Sequence, residues 1–534
     1  MTTKLIDEQH LEWALCHLEL FGGSDVFPPT HDFSAIRANW ESVKKYIIAV
    51  LDGEYSPGTP YMGMSPKADG TFRAVHELNP IDSIIITAVV YAISGYIEKS
   101  RIPEDQRVIF SFRITPTNDG HFFKTGSDNW DDFTRRREEL FSEFSDGWVL
   151  KADISDFYNQ IYLHRIQNAL EECLPAELEF YATFIHDFLN GLNSKISKGI
   201  PVGPAFSTVL AEAVLNDVDH RISGFGVKFI RWVDDFYIFH HNEWFLYNTY
   251  NAITEYLYST HRLVFNASKT NLCKVMEFKE FLDGMEDKIV TAHIDSLREH
   301  RCSELLDELI ADLNPYDHSE LDWDDLNEIV FERYSENEAF KVLSNAYKTI
   351  LQRSIESSNI TLVKHVIKKC TAARIRSIYP ILRDSLVRLL PVVREVAFYI
   401  RRVCNNDMLI EISEVAAGLC KMSKNRFTLR WMAYILTFPD YPSGHVIAEE
   451  VYSSLEQRDQ LFLAMKKGDL YRIKSLRTKI EQLPDTDRQV FLLATSALTK
   501  DERDPILECA EKRGRLIDTA YSKYVRGGIT RRRT

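Results

Sequence analysis

Several things are missing from this chain of 534 residues. No two of its eight cysteines form a Cys-x-x-Cys pair; Cys16, Cys173, Cys273, Cys302, Cys370, Cys404, Cys420 and Cys509 are scattered. A zinc site on paired cysteines is therefore not expected, and reduced, buried thiols are. No run of 18 consecutive apolar residues occurs, so no membrane span and no membrane partner is expected. The most apolar stretch, Ile81–Ile97, carries Asp82, Ser83, Thr87 and Ser94 and reads as a buried helix. Residues 1–10 lack the charged-then-apolar pattern of a secretion signal, and a cytoplasmic location is expected. A disordered or collagen-like composition is also missing: 45% hydrophobic and 27% charged residues are ordinary for globular chains. At roughly 150 residues per domain, the length calls for more than one core.

Positive charge is in short supply, but unevenly. Residues 1–290 hold 26 Lys+Arg against 42 Asp+Glu, a net of −16. Residues 291–534 hold 38 against 36, a net of +2. An acidic first half is a poor non-specific binder of nucleic acid, so any such affinity must come from local patches or from the second half.

The first half mixes strand-like and helical runs. Trp148–Ile154 is apolar and β-compatible. Val227–Val233 and Phe236–Phe239 read as two strands meeting at Asp234-Asp235, a hairpin whose turn carries two acids. Leu163–Cys173 and Phe206–Val218 have helical spacing, and the layout predicts an α+β domain with an antiparallel sheet. After about Asp287 the strands vanish. Leu305–Leu313, Phe340–Ile350, Leu362–Lys369, Ile381–Leu390, Val392–Arg402, Leu409–Cys420 and Gln457–Ala464 have helical spacing, parted by breaks such as Asn314-Pro315 and Asn405-Asn406-Asp407. This predicts an all-α domain, either a HEAT-like array or an irregular one, because residue identities show no fixed period. The basic end, Arg526–Thr534, reads either as a solubilising tail or as a contact for nucleic acid or a partner.

The chemistry is in the acids. Asp153 ends one apolar run and Asp234-Asp235 lie between two more. Carboxylates grouped at strand ends are costly unless a cation binds them, and hard oxygen ligands select Mg²⁺ or Mn²⁺. An Asp-Asp pair by itself is usually a surface turn; its company along the chain changes that reading.

Lys151-Ala-Asp153-Ile-Ser-Asp-Phe-Tyr158 resembles the first palm motif of reverse transcriptases, and Gly199-Ile-Pro-Val-Gly203 with the following Pro-Ala-Phe-Ser207 resembles the second. Phe229-Ile-Arg-Trp-Val-Asp234-Asp235 resembles the third, the x-x-Asp-Asp hairpin, and Asn266-Ala-Ser-Lys269-Thr the fourth. Ser65-Pro-Lys67-Ala-Asp-Gly70-Thr-Phe-Arg73 resembles the fingers segment facing the incoming triphosphate. The five segments keep the family's order and span about residues 60–285. The division this implies is 1–60 as a helical segment packing on the fingers, 61–287 as fingers and palm, and 288–534 as the helical domain with its basic tail.

The resemblance implies roles. Asp153 and Asp234 would hold two Mg²⁺ ions, with Mn²⁺ as a substitute, the Ile154 carbonyl a further ligand and Asp235 a weaker one. Asp156 is read as structural or solvent-facing. Lys67 and Arg73 would face the β- and γ-phosphates. Gly199 and Gly203 would let backbone approach the nucleotide or template. Tyr158 would stand over the sugar and select against a 2′-hydroxyl. Lys269 would contact the phosphates or protonate the leaving pyrophosphate. Val202 departs from the pattern, since many family members have Gln there to contact the incoming nucleotide; this puts faithful templated selection in doubt.

Nothing resembles a ribonuclease H, integrase or maturase region. A palm-and-fingers part followed by helices resembles the bacterial abortive-infection (Abi) reverse-transcriptase-like polymerases, AbiK-like and prophage-encoded, among the defence-associated reverse transcriptases. That resemblance implies DNA synthesis from dNTPs, primed from a tyrosine of the protein without a template. It also implies a single-stranded DNA product bonded to the chain, a homo-oligomer in the bacterial cytoplasm, and antiphage defence. Tyr46, Tyr55 and Tyr61 lie in or near the Gly/Pro-containing segment Gly53–Pro66 and are candidate primers. Two alternatives stay open: RNA-templated synthesis using a dedicated noncoding RNA, and an inactive scaffold of polymerase fold.

Overall fold

The computed structural model describes residues 5–53, 55–124, 128–285, 338–441 and 446–529. The helix expected over Leu305–Leu313, the break at Asn314-Pro315 and the last five residues of the basic end lie outside the described residues. Two compact units divide the chain. One comprises Met1–Asp25, Lys44–Met62 and His76–Asp287; the other comprises Val26–Val43, Gly63–Val75 and Lys288–Thr534.

The first unit is built on a four-stranded sheet. Its strands are β3 (Trp148–Asp153), β4 (Lys228–Trp232), β5 (Asp235–His240) and β6 (Asn271–Lys274), in the order β4-β5-β3-β6 and antiparallel throughout. The remaining strands, β1 (Tyr61–Pro66) and β2 (Phe72–Glu77), form a separate hairpin. Side chains alternate across a strand, so each four-stranded sheet face can be read from its register. Val149, Ile230, Tyr237 and Phe239 join Phe133, Leu140 and Phe141 of the helix Asp128–Glu143 and Phe278 of the helix Val275–Met285. The helices Ala205–Ser223 and Glu243–Tyr256 also pack on the sheet. With both faces covered, the strands read as near-continuous apolar runs, against which Lys151, Asp153 and Arg231 stand out.

The apolar stretch is the helix Pro80–Ser100, capped by the Asn79 side chain, which accepts from Ile81 N at 3.0 Å, with Pro80 at its first position. It is long and apolar enough to cross a membrane, yet 78% of its apolar window is buried in the fold. It packs on the helices Glu8–Phe21, Phe180–Leu192 and Ala205–Ser223. Its buried Asp82 accepts hydrogen bonds from Tyr55 Oη and from Gly58 N, the latter at 3.0 Å.

The second unit answers the question that residue identities left open. The helices Ile360–Ala372, Val393–Val403, Arg426–Leu436, Gln457–Lys467, Asp485–Ala494 and Leu516–Arg526 each pack on the next. Their starting residues fall 28 to 33 positions apart, so a repeating array exists without a repeating sequence. Asn359 and Asn425 cap two of these helices, accepting from Leu362 N and Thr428 N at 3.1 Å. Burial at Val363, Val396, Trp431, Leu461, Leu492 and Tyr521 marks the continuous core between them. The tip of the β1–β2 hairpin belongs to this unit. A Cβ on Gly63 would meet Phe27 and Phe427 at 3.2 Å, and Asn425 Nδ2 donates to the Met64 carbonyl at 2.8 Å. The architecture is thus α+β with an antiparallel sheet, followed by a large helical region.

Candidate active site

Sheet register assembles the acids. Asp153 is the last residue of β3 and lies opposite Asp235 on β5, so both project from the same face. The strands β4 and β5 are joined by only Val233 and Asp234. The expected two-acid turn is therefore corrected: Asp234 sits in the turn, and Asp235 begins the strand, because it pairs with Trp232 as well as Asp153. One carboxylate oxygen of each of Asp153, Asp234 and Asp235 lies within 4.8 Å of the other two. Asp153 is buried and the others half-buried. Backbone bonds lock the arrangement: Ile154 N donates to the Asp234 carbonyl at 3.2 Å, and Asn266 N to the Asp153 carbonyl at 2.7 Å.

Two lysines face the cluster. Lys151, two residues before Asp153 on the same strand face, donates to Asp235 at 2.5 Å. Burial alone would lower the Lys151 pKa, but the Asp235 carboxylate outweighs it and holds the ammonium above its ordinary value. Lys269 Nζ lies 3.2 Å from Asp153. Three carboxylates of hard oxygen within reach of one small cation fit Mg²⁺ or Mn²⁺, and the lysines moderate their repulsion when no cation is bound.

The glycine loop pairs with the segment that follows the cluster's strand, residues 158–161. Gly199 (φ +93°) and Gly203 (φ +119°) adopt backbone angles that side chains disfavour. Gly199 N donates to the Ile161 carbonyl at 2.8 Å, and Ile200 N to the Tyr158 carbonyl at 2.9 Å. Val202 is bonded to β2: its carbonyl accepts from His76 N at 3.0 Å. Tyr158 places its hydroxyl 3.5 Å from Thr208 Oγ1. Burial raises its pKa, and Asp234 is among the anions that oppose its ionisation. Asp156 (φ +49°) is outside the acidic cluster and accepts from Asn159 Nδ2 at 2.9 Å.

Lys67 and Arg73 flank the tip of the β1–β2 hairpin. Its Asp69-Gly70 turn is closed by Lys67 N donating to the Thr71 carbonyl at 2.8 Å, and by Asp69 Oδ1 accepting from Thr71 N at 2.9 Å. Of the candidate primers, Tyr46 is 46% exposed on the helix Trp40–Leu51, Tyr55 is held by Asp82, and Tyr61 is the half-buried first residue of β1.

The sequence reading missed Lys151 as a partner of the acids, although its position two residues before Asp153 was a usable signal. It also missed a buried layer behind the hairpin: Arg231, Glu212, Asp219 and Ser111. The one signal there was a charged residue, Arg231, inside an apolar strand.

Strands that present acids from a strand end and an adjoining two-residue turn define a nucleotidyltransferase fold of the polymerase palm type. Residues 65–291 match the family model described as reverse transcriptase (RNA-dependent DNA polymerase). No curated protein matches the chain. Solved structures with similarity include apo telomerase from Candida tropicalis truncated from its C-terminal domain, at 13% identity, TM-score 0.29, and coverage of 44% of this chain and 55% of that one. Telomerase from Candida albicans in complex with the TWJ fragment of telomeric RNA has 12% identity and TM-score 0.31, with coverage of 76% and 70%. Apo telomerase from Candida tropicalis has 11% identity and TM-score 0.33, with 77% of each chain covered. The chain spans little more than half the length of the first of these.

Proposed function

We propose that this chain is a DNA polymerase of reverse-transcriptase type, joining dNTPs with two divalent cations held by Asp153, Asp234 and Asp235. The observation carrying this reading is the convergence of three carboxylates within 4.8 Å in a segment that matches the reverse-transcriptase family model. When bound, two Mg²⁺ ions supply charge stabilisation for the attacking and leaving oxygens. The chain's own groups supply the rest. Asp153 and Asp234 would be the main ligands, with the Ile154 carbonyl, while Lys151 orients Asp235. Lys269 Nζ stands ready to hand a proton to the departing pyrophosphate. Gly203 admits the triphosphate close to backbone, and Tyr158 excludes the 2′-hydroxyl.

The finer reading is protein-primed, template-independent synthesis from a tyrosine hydroxyl, by a cytoplasmic homo-oligomer in antiphage abortive infection. The five motif segments in family order, followed by a helical array, support it, as does the acidic first half, which suits a weak grip on duplex. RNA-templated synthesis with a noncoding RNA is the competing reading, favoured by the family's description as RNA-dependent. The test is pure protein with Mn²⁺ and labelled dNTPs, followed by mass measurement before and after nuclease. Incorporation lost on Asp153→Ala, with DNA bonded to the chain and no co-purifying complement, supports the first reading. Product complementary to a co-purifying RNA supports the second. No incorporation by the unaltered chain leaves the inactive scaffold.

A further inference from the structure

Behind the acidic cluster lies a buried layer of charge that metal binding does not use. Arg231, fully buried on β4, makes two bonds to Asp219, Nε to Oδ1 at 2.8 Å and Nη2 to Oδ2 at 2.6 Å, and one to Glu212 at 2.9 Å. Glu212 also takes Arg101 at 2.6 Å and the Ser111 hydroxyl at 3.2 Å. Arg101 and Arg113 both pair with Glu98. Three arginines thus face three carboxylates. A buried layer of this kind adds little net stability over apolar packing of the same shape. What it supplies that apolar side chains cannot is directed hydrogen bonds to backbone.

Those bonds end on two residues in the left-handed region where non-glycine residues are rare, Phe112 (φ +45°) and Val233 (φ +54°). Arg101 donates to the carbonyls of Ser111 and Phe112 at 3.3 and 3.0 Å. Arg231 Nη1 donates to the Val233 carbonyl at 2.7 Å, and Val233 N donates to Ser111 Oγ at 2.8 Å. Segment 108–111 is brought there by pairing beside β4, where Arg231 N donates to the Val108 carbonyl at 2.8 Å. Val233 is the first residue of the two-residue turn whose second is Asp234, a place where hairpins of this length favour glycine. A β-branched residue is strained there, and persists only where its surroundings over-determine it. Both polar groups of its backbone are so held.

We propose that Arg231 and Ser111 are positioning residues: they clamp Val233 in its left-handed conformation and so fix Asp234 against Asp153 for divalent-cation binding. This rests on the metal-binding reading of the acidic cluster. The clamp acts through Val233 backbone, so a residue that adopts positive φ without strain should need it less.

The test uses the full chain and Mn²⁺ binding by calorimetry, with thermal unfolding as the check on fold. Ser111→Ala should weaken Mn²⁺ binding about tenfold, the factor for ~1.4 kcal/mol, while its unfolding midpoint stays within about 5 °C of the parent. In the Val233→Gly background the same Ser111→Ala change should cost less than about threefold, since glycine reaches that conformation unaided. Arg231→Lys, which keeps the charge and loses the fork, should behave like Ser111→Ala if it folds. Equal Mn²⁺ affinity in parent and Ser111→Ala, or an equal loss in both backgrounds, overturns the clamp while leaving the metal site standing. Failure of the parent itself to bind Mn²⁺ overturns the metal reading and the clamp together.

Discussion

Asp234→Asn separates stability from function in opposite directions. Two unit charges 4.8 Å apart repel by about 3.5 kcal/mol at an effective dielectric of about 20. Asp153 and Asp235 each have a lysine to offset this, at 3.2 and 2.5 Å, and the Asp235 side chain is 38% exposed, where solvent screens it. The net relief from neutralising Asp234 is therefore smaller, about 1–2 kcal/mol. In EDTA the variant should be more stable than the parent in urea unfolding by that free energy. Added Mn²⁺ should reverse the order. At a hundredfold excess over its dissociation constant it stabilises the parent by about 2.7 kcal/mol, and it should stabilise the variant hardly at all. Nucleotide incorporation should vanish in the variant. The assay is urea unfolding with and without Mn²⁺, read beside incorporation of labelled dNTPs. If the variant is less stable than the parent in EDTA, or gains as much from Mn²⁺, the three carboxylates are not a mutually repelling cation site.

Two other outcomes are expected. Burial pushes the Asp82 carboxyl from its ordinary 3.8 up to about 6, with the Tyr55 and Gly58 hydrogen bonds pulling it back. Its folded pKa thus lies above the unfolded one, so its stabilising contribution is complete below about pH 4 and lost as pH rises through about 6. Asp82→Asn should flatten the urea-unfolding profile across that window by no more than roughly 3 kcal/mol, and an unchanged profile would place the titration elsewhere. Tyr158→Ala should lower discrimination against ribonucleotides about tenfold or more, worth ~1.4 kcal/mol, in competition assays of dNTP against NTP incorporation; unchanged selectivity would put the sugar away from Tyr158.

Much of the fold was legible where local pattern is enough. The helix Leu163–Cys173 has the bounds its spacing predicted, because one wide apolar stripe sets both its phase and its ends. The buried helix around Ile81–Ile97 was readable because its polar residues break an otherwise membrane-like run. The three aspartates were legible as a set through the motif segments that accompany them in order along the chain, since an Asp-Asp pair at a strand end is by itself most often a surface turn. The hairpin was one residue off, since pairing with β3 draws Asp235 into the strand, and no local signal carries that pairing.

The sequence by itself determined three strands of the main sheet and several of the helices, since periodicity acts over a few residues, and it singled out the acids that a cation would need by the motifs around them. Only the tertiary structure decided that helices beginning 28 to 33 residues apart stack into one array, since packing demands volume and phase and not identity. It alone decided, too, that Arg231, Ser111 and Glu212 meet behind Val233. Those residues are brought together across a hundred positions of chain by strand pairing and helix packing, and a hydrogen bond reaches only as far as the fold brings its partners.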